Sequence, residues 1–204
     1  MTQYSYHTLD TPVEDILWKE KNSKFLGYAY PISGEEEVKV ILEQLKKQHA
    51  TAHHVCYAYQ WGVKQPYYRV NDDGEPSNTA GQPIYGQIQS FGLTHVLVAV
   101  VRYYGGIKLG VSGLIQAYRT TAQITLEAGI IIEKHLETAI QLHFEYPLLN
   151  KVMRIIKETQ AQIVNQQMEM NCNITINIRT SELTQVTNRL EQLYGLDFKV
   201  LESV

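Results

Sequence analysis

The chain has 204 residues, 44% of them apolar and 19% charged, and a net charge of −3. That length fits one large domain or two modest ones, and the composition is that of an ordinary soluble globular protein. No stretch approaches the ~18 apolar residues of a membrane span, and residues 1–4 lack the basic and apolar regions of a secretory signal. Cys56 and Cys172 lie in different halves with no CxxC pair, so a reduced, cytoplasmic protein is expected. Proteins that live on phosphate contacts are usually basic. Here residues 1–136 hold 12 Lys/Arg against 13 Asp/Glu, and residues 137–204 hold 6 against 8. Nucleic acid, if bound, needs a local patch.

Residues 13–20 and 25–30 read as strands around the turn Lys21-Asn22-Ser23-Lys24. Ser33-Gly34-Glu35-Glu36 fits a capping box, and Val38, Ile41, Leu42 and Leu45 form the apolar stripe of the helix behind it. Residues 54–61 form an aromatic-rich strand. Within residues 94–102 the run from Val96 to Val101 is apolar on both faces, which predicts a central strand covered on both sides. A helix over about residues 112–128 follows, ended by Gly129.

The domain boundary falls near residues 134–137, giving domains 1–135 and 136–204. Residues 138–146 alternate as a strand, and Pro147 opens a helix bearing Leu148, Leu149, Val152, Ile155 and Ile156. Residues 162–169 and 173–179 are two further strands. Ser181 is placed as the cap of a second helix carrying Leu183, Val186, Leu190 and Leu193, with Gly195 as its C′ glycine. Residues 196–201 close the domain. The order β-α-β-β-α-β is the ferredoxin-like split βαβ, and the predicted class is α+β, with helices on one face of an antiparallel sheet.

Two glycine-bearing segments carry the chemistry. Residues 71–81 pack Asp72, Asp73, Gly74, Glu75, Pro76, Thr79 and Gly81 into a structured loop. Its carboxylates can hold Mg²⁺ beside a phosphate ligand, pair with arginines, or cap backbone N–H groups in a tight turn. The EF-hand spacing is absent. Residues 102–113 bring Arg102, Tyr103, Gly105, Gly106, Lys108 and Gly110 from a buried strand to a helix N-terminus, where backbone amides favour anions. The glycine spacing imitates a P-loop, but Val111 stands at the lysine position, and no GxGxxG occurs. His53 is the polar histidine expected to meet the Asp72/Asp73 loop. With no HExxH and no cysteine pair, zinc is not expected. No GxSxG nucleophile is present. Tyrosines crowd residues 57–118, and Tyr68 and Tyr104 with Arg69, Arg102, Lys108 and Arg119 are candidates for a stacking and charge surface for single-stranded nucleic acid.

The stretches Lys21-Asn22-Ser23-Lys24-Phe25, Ala52-His53-His54-Val55-Cys56-Tyr57-Ala58-Tyr59, Asp72-Asp73-Gly74-Glu75-Pro76-Ser77-Asn78-Thr79-Ala80-Gly81-Gln82-Pro83, Val101-Arg102-Tyr103-Tyr104-Gly105-Gly106-Ile107-Lys108-Leu109-Gly110 and Gly113-Leu114-Ile115-Gln116-Ala117-Tyr118 occur in that order. In this the chain resembles the IMPACT family, its bacterial YigZ/YvyE-type branch in particular. Asn78, Tyr104 and Val111-Ser112 depart from the family's pattern. The resemblance implies a first domain like the second domain of ribosomal protein S-five, a fold that recurs in domain IV of the translocating elongation factor ahead of a ferredoxin-like domain V. It implies a translation-associated protein contacting RNA, the ribosome or a translation-regulatory protein, and it supplies no established reaction. The alternatives are a Mg²⁺-dependent binder or enzyme for a phosphometabolite and a pure protein-interaction module. A monomer is the favoured state.

Overall fold

Residues 4–201 are described by the computed structural model, and they divide into one unit spanning Tyr6–Lys134 and a second formed from His135 onward, joined by residues before Tyr6. The first unit opens with β1 (Ser5–Leu9) and the hairpin of β2 (Val13–Glu20) and β3 (Ser23–Pro31). The hairpin turn is two residues long, Lys21 and Asn22, both with positive φ. That geometry matches the twist of the flanking strands and is the one two-residue hairpins favour. Near its start β2 bulges, with the register shifting between Val13 and Ile16 and Asp15 at φ +58°.

Helix α1 (Glu35–Gln48) follows, with Val38 and Leu45 buried. The capping bond sits one residue later than the sequence suggests. Gly34 is the N-cap, and the Ser33 amide and hydroxyl donate to Glu37 Oε2 at 2.8 and 2.9 Å. Then come β4 (His54–Trp61), β5 (Tyr67–Asn71), α2 (Gly81–Ser90), β6 (Val96–Tyr103), α3 (Gly110–Glu127) and β7 (Ile131–His135). Helix α3 starts two residues before its predicted start, at Gly110.

Five strands form one sheet in the order β2-β3-β6-β4-β5, with every neighbour antiparallel. Strand β6 is central, and Val96 through Arg102 are buried, as a doubly covered strand requires. On one face Phe25, Cys56, Ala58, Val96, Val98 and Val100 pack against Ile84 and Ile88 of α2 and Leu114, Tyr118 and Leu126 of α3. On the other, Tyr28, Val55, Ala99 and Val101 meet Ile41, Leu42 and Leu45 of α1. Strands β1 and β7 pair separately.

The second unit has the β-α-β-β-α-β order read from the sequence: β8 (Glu137–Glu145), α4 (Leu149–Glu158), β9 (Gln162–Gln167), β10 (Asn171–Arg179), α5 (Leu183–Glu191) and β11 (Leu196–Val200). The sheet order is β11-β8-β10-β9, with each pairing antiparallel. Ile140, Leu142, Phe144, Ile174, Ile176 and Ile178 bury one face against Val152, Ile156, Val186 and Leu190. Pro147 lies in a 3-10 turn that leads into α4. Ser181 also sits inside a 3-10 turn rather than capping α5, whose N-cap makes no side-chain bond. Gly195, at φ +88°, turns the chain three residues beyond the Gln192 C-cap. Among the described residues no helix is long and apolar enough to cross a membrane.

Candidate functional site

Strand alternation decides where the predicted site residues go. Successive side chains of a strand point to opposite faces of its sheet. Arg102 continues the Val98–Val100 row toward α2 and α3, while Tyr103 continues the Ala99–Val101 row toward α1. Arg102 and Tyr103, adjacent in the basic segment, therefore serve two separate places.

On the α2/α3 face Glu75 and Arg102 neutralise each other. Arg102 is 5% exposed and Glu75 7%. Arg102 Nη1 donates to Glu75 Oε1 at 2.5 Å, and Tyr118 Oη donates to the same oxygen at 2.8 Å. Cys56 Sγ lies 3.3 Å from Tyr118 Oη and 3.0 Å from the Asp72 carbonyl, the two acceptors within reach of its one hydrogen. Burial pushes both the Cys56 thiol and the Tyr118 phenol well above their ordinary values, so both stay protonated donors. The Arg102 guanidinium lies 5.4 Å from the Phe25 ring and 5.5 Å from the Tyr104 ring. Its Nη2 reaches Ser23 Oγ at 3.5 Å, and Ser23 Oγ also accepts from the Gly105 amide at 3.2 Å.

The loop before α2 is held by its own carboxylates. Asp72 Oδ1 accepts from the Ala80 and Gly81 amides at 2.9 and 2.8 Å, and Oδ2 from the Asn78 amide at 2.9 Å. The Glu75 amide closes on the Asp72 carbonyl. Thr79 Oγ1 donates to the Pro76 carbonyl at 2.7 Å. Asp73 Oδ2 accepts from the Val55 amide at 2.7 Å, and Lys46 Nζ lies 3.8 Å from Asp73 Oδ1. Asp73, Gly74 and Asn78 have positive φ. The turn whose acids cap backbone N–H groups is thus the arrangement present. Asp72, Asp73 and Glu75 do not converge, and among the described residues no group of three or more His, Cys, Asp or Glu side chains is placed to hold a metal ion.

The histidine that meets this loop is His54, not His53. His54 Nδ1 lies 2.9 Å from the Asp73 carbonyl and Nε2 lies 3.7 Å from Glu75 Oε2. His53 is exposed, and its Nδ1 accepts from the Tyr104 amide at 3.2 Å. His54 begins β4 on the face of Cys56, so alternation sends it to the acids and turns His53 away.

The α1 face holds a groove of about 580 Å³ lined by Leu17, Lys19, Asn22, Lys24, Leu26, Tyr103 and Tyr104. The sheet is bare there, and Leu17 is 47% and Tyr104 39% exposed. Lys19 and Lys24 stand directly opposite each other in the β2–β3 register, and neither takes part in an ion pair among the described residues. Of the predicted residues, only Tyr103 and Tyr104 line this groove. Gly106 and Lys108 are exposed in the loop beside it, and Gly110 opens α3 at φ +72°. Gly105 is packed hard against the hairpin turn, where a Cβ would come within 2.1 Å of the Asn22 carbonyl carbon. Tyr68 stacks on Tyr85 at 4.3 Å and Arg69 pairs with Glu35 at 3.4 Å, both on edge strand β5, while Arg119 is exposed on α3. Ser23, His54, Cys56 and Tyr118 of the buried network and the two groove lysines are site residues that spacing alone does not single out. The hairpin signal at Lys21–Lys24 was the clue to the last.

Comparison with known proteins places residues 21–126 in the Impact N-terminal domain family. The chain is similar to the IMPACT family member YvyE of Bacillus subtilis, at 35% identity over 157 residues, 77% of this chain and 72% of that one. It is similar to the IMPACT family member YigZ of Escherichia coli, at 29% identity over 182 residues, 88% of this chain and 87% of that one. Among solved structures, the crystal structure of a hypothetical protein matches with a TM-score of 0.76 at 26% identity, covering 100% of both chains.

Proposed function

The chain belongs to the IMPACT family, and on that premise we propose that it is a cytoplasmic, translation-associated protein that binds RNA in the groove on the α1 face. The finer fold reading goes with it. The two element orders support a ribosomal protein S-five domain 2-like first unit and a ferredoxin-like second unit, a pairing shared with a ribosome-bound factor, though shared fold is an analogy rather than a mechanism.

One observation carries the reading: Lys19 and Lys24 face each other across neighbouring strands with no carboxylate between them. Like charges directly opposite in a sheet cost stability. A lysine on an edge strand such as β2 discourages edge-to-edge pairing, but that does not explain Lys24 on the inner strand β3. An anion bridging the two removes the repulsion. Tyr103 and Tyr104 line the same groove and supply the stacking faces that single-stranded RNA uses. The buried Glu75–Arg102 network serves as the frame of this surface, because it fixes Ser23 and Gly105 at the ends of the strands that carry the groove.

The test is binding of a fluorescent single-stranded RNA at several salt concentrations. Two phosphate contacts predict a slope of roughly −1.4 in log K against log salt, about a sevenfold loss between 50 and 200 mM. Lys19→Ala and Lys24→Ala should each weaken binding and flatten the slope by about one contact. Binding that ignores both substitutions, or nuclease-resistant association with a protein in place of RNA, overturns the proposal.

A further inference from the structure

A chain of hydrogen bonds runs from the edge of the sheet into the groove. The Asp15 carboxylate, turned by the β2 bulge, accepts from Tyr28 Oη. Tyr28 Oη lies 2.7 Å from His49 Nε2, and His49 Nδ1 lies 2.9 Å from Tyr103 Oη. Tyr28 and His49 are buried, and Tyr103 lines the groove. Asp15 sits on β2, Tyr28 on β3, His49 at the C-cap of α1 and Tyr103 on β6.

The chemistry of the first member sets the direction of every bond behind it. An ionised carboxylate has no hydrogen to give, so Tyr28 must donate to Asp15. The Tyr28 oxygen is then left to accept, so the hydrogen between it and His49 belongs to Nε2. A neutral imidazole carries one N–H, which leaves Nδ1 as an acceptor. Tyr103 must therefore spend its only hydrogen on His49. Burial lowers the His49 pKa, against a smaller opposing pull from Asp15, which keeps the ring neutral. The groups facing His49 are Tyr28 and Tyr103, with Asp15 behind Tyr28, and no other titratable side chain among the described residues bonds it.

We propose that this relay makes Tyr103 Oη a fixed acceptor toward the groove, so that the site takes a ligand presenting an anion to Lys19 and Lys24 and a hydroxyl donor to Tyr103, namely a ribose-phosphate backbone with its 2′-OH. The inference rests on the groove being a nucleic-acid site and adds that it selects RNA over DNA. The 2′-OH is the group that distinguishes the two at a given site. Asp15, Tyr28 and His49 are positioning residues that act through Tyr103.

The test compares RNA and DNA oligonucleotides of one sequence on the full chain, with nitrogen NMR of the His49 ring alongside. A single neutral hydrogen bond predicts an RNA preference of roughly two- to tenfold. Tyr103→Phe, which removes only the hydroxyl, should bring the ratio to about one. Tyr28→Phe, at a buried residue that does not line the groove, should reduce the ratio and convert the Nε2–H tautomer of His49 into a mixture. Equal wild-type affinity for RNA and DNA, an unchanged ratio in Tyr103→Phe, or a wild-type Nδ1–H tautomer overturns the relay while leaving the groove reading intact. Binding of neither nucleic acid overturns both.

Discussion

Replacing Glu75 with alanine should be among the most damaging single changes in the first unit. It strands the Arg102 guanidinium, 5% exposed, with its nearest anion gone. It also removes the acceptor of Tyr118, itself fully buried. Breaking a buried ion pair by deleting one partner costs about 3–5 kcal/mol, because the surviving charge is buried uncompensated. For a unit of this size that corresponds to a fall of roughly 10–20 °C in Tm. Urea or thermal denaturation of the full chain, followed by a probe in the first unit, reads the effect. The double variant Glu75→Leu with Arg102→Met removes both charges and should lose less than either single change, since an apolar replacement of a buried pair is often neutral. A Glu75→Ala cost below about 1 kcal/mol would refute the reasoning, because surface pairs are worth that little.

Three further outcomes follow from the same structure. Gly105→Ala should destabilise by more than about 2 kcal/mol, since its Cβ would collide with the Asn22 backbone, whereas Gly86→Ala, with open space and a helical backbone, should stabilise by roughly 0.5–1 kcal/mol; urea midpoints compare them. His49 and His95 are held below the ordinary imidazole value of 6.5 chiefly by burial. The unfolded chain therefore binds more protons below that pH, so stability is full above about 6.5 and falls as pH drops toward the lowered native values; His49→Gln should flatten the dependence of the urea midpoint between pH 7.5 and 5.5. Cys56 and Cys172 are both free and buried, so a thiol reagent should modify neither in the native protein and both once urea unfolds it.

Most of the secondary structure was legible because its signal is periodic. The apolar run from Val96 to Val101 announced the central strand, and alternation over Ile174, Ile176 and Ile178 announced β10. Helix α2 was not legible. Gly81 closes the segment read as a structured loop, and Pro83 lies in the first turn of the helix, where its missing amide costs nothing. Gly81 is required because it packs against the Asn71 backbone, a contact no local pattern reveals. The candidate site was legible in its residues but not in its partition. Arg102 and Tyr103 are adjacent in sequence and on opposite sides of a sheet in space, and the same holds for His53 and His54. Pairing across 27 residues between Glu75 and Arg102 depends on the register of β4, β5 and β6, which sequence spacing alone does not encode. The groove lysines were hidden for a related reason: they become neighbours only through the two-residue turn at Lys21 and Asn22.

The most direct test of the central claim is the salt dependence of single-stranded RNA binding by the wild-type chain and by the Lys19→Ala, Lys24→Ala double variant. Wild-type binding should be measurable and weaken about sevenfold from 50 to 200 mM salt, and the double variant should bind more weakly with almost no salt dependence. Equal affinity and equal slope for the two proteins would contradict it.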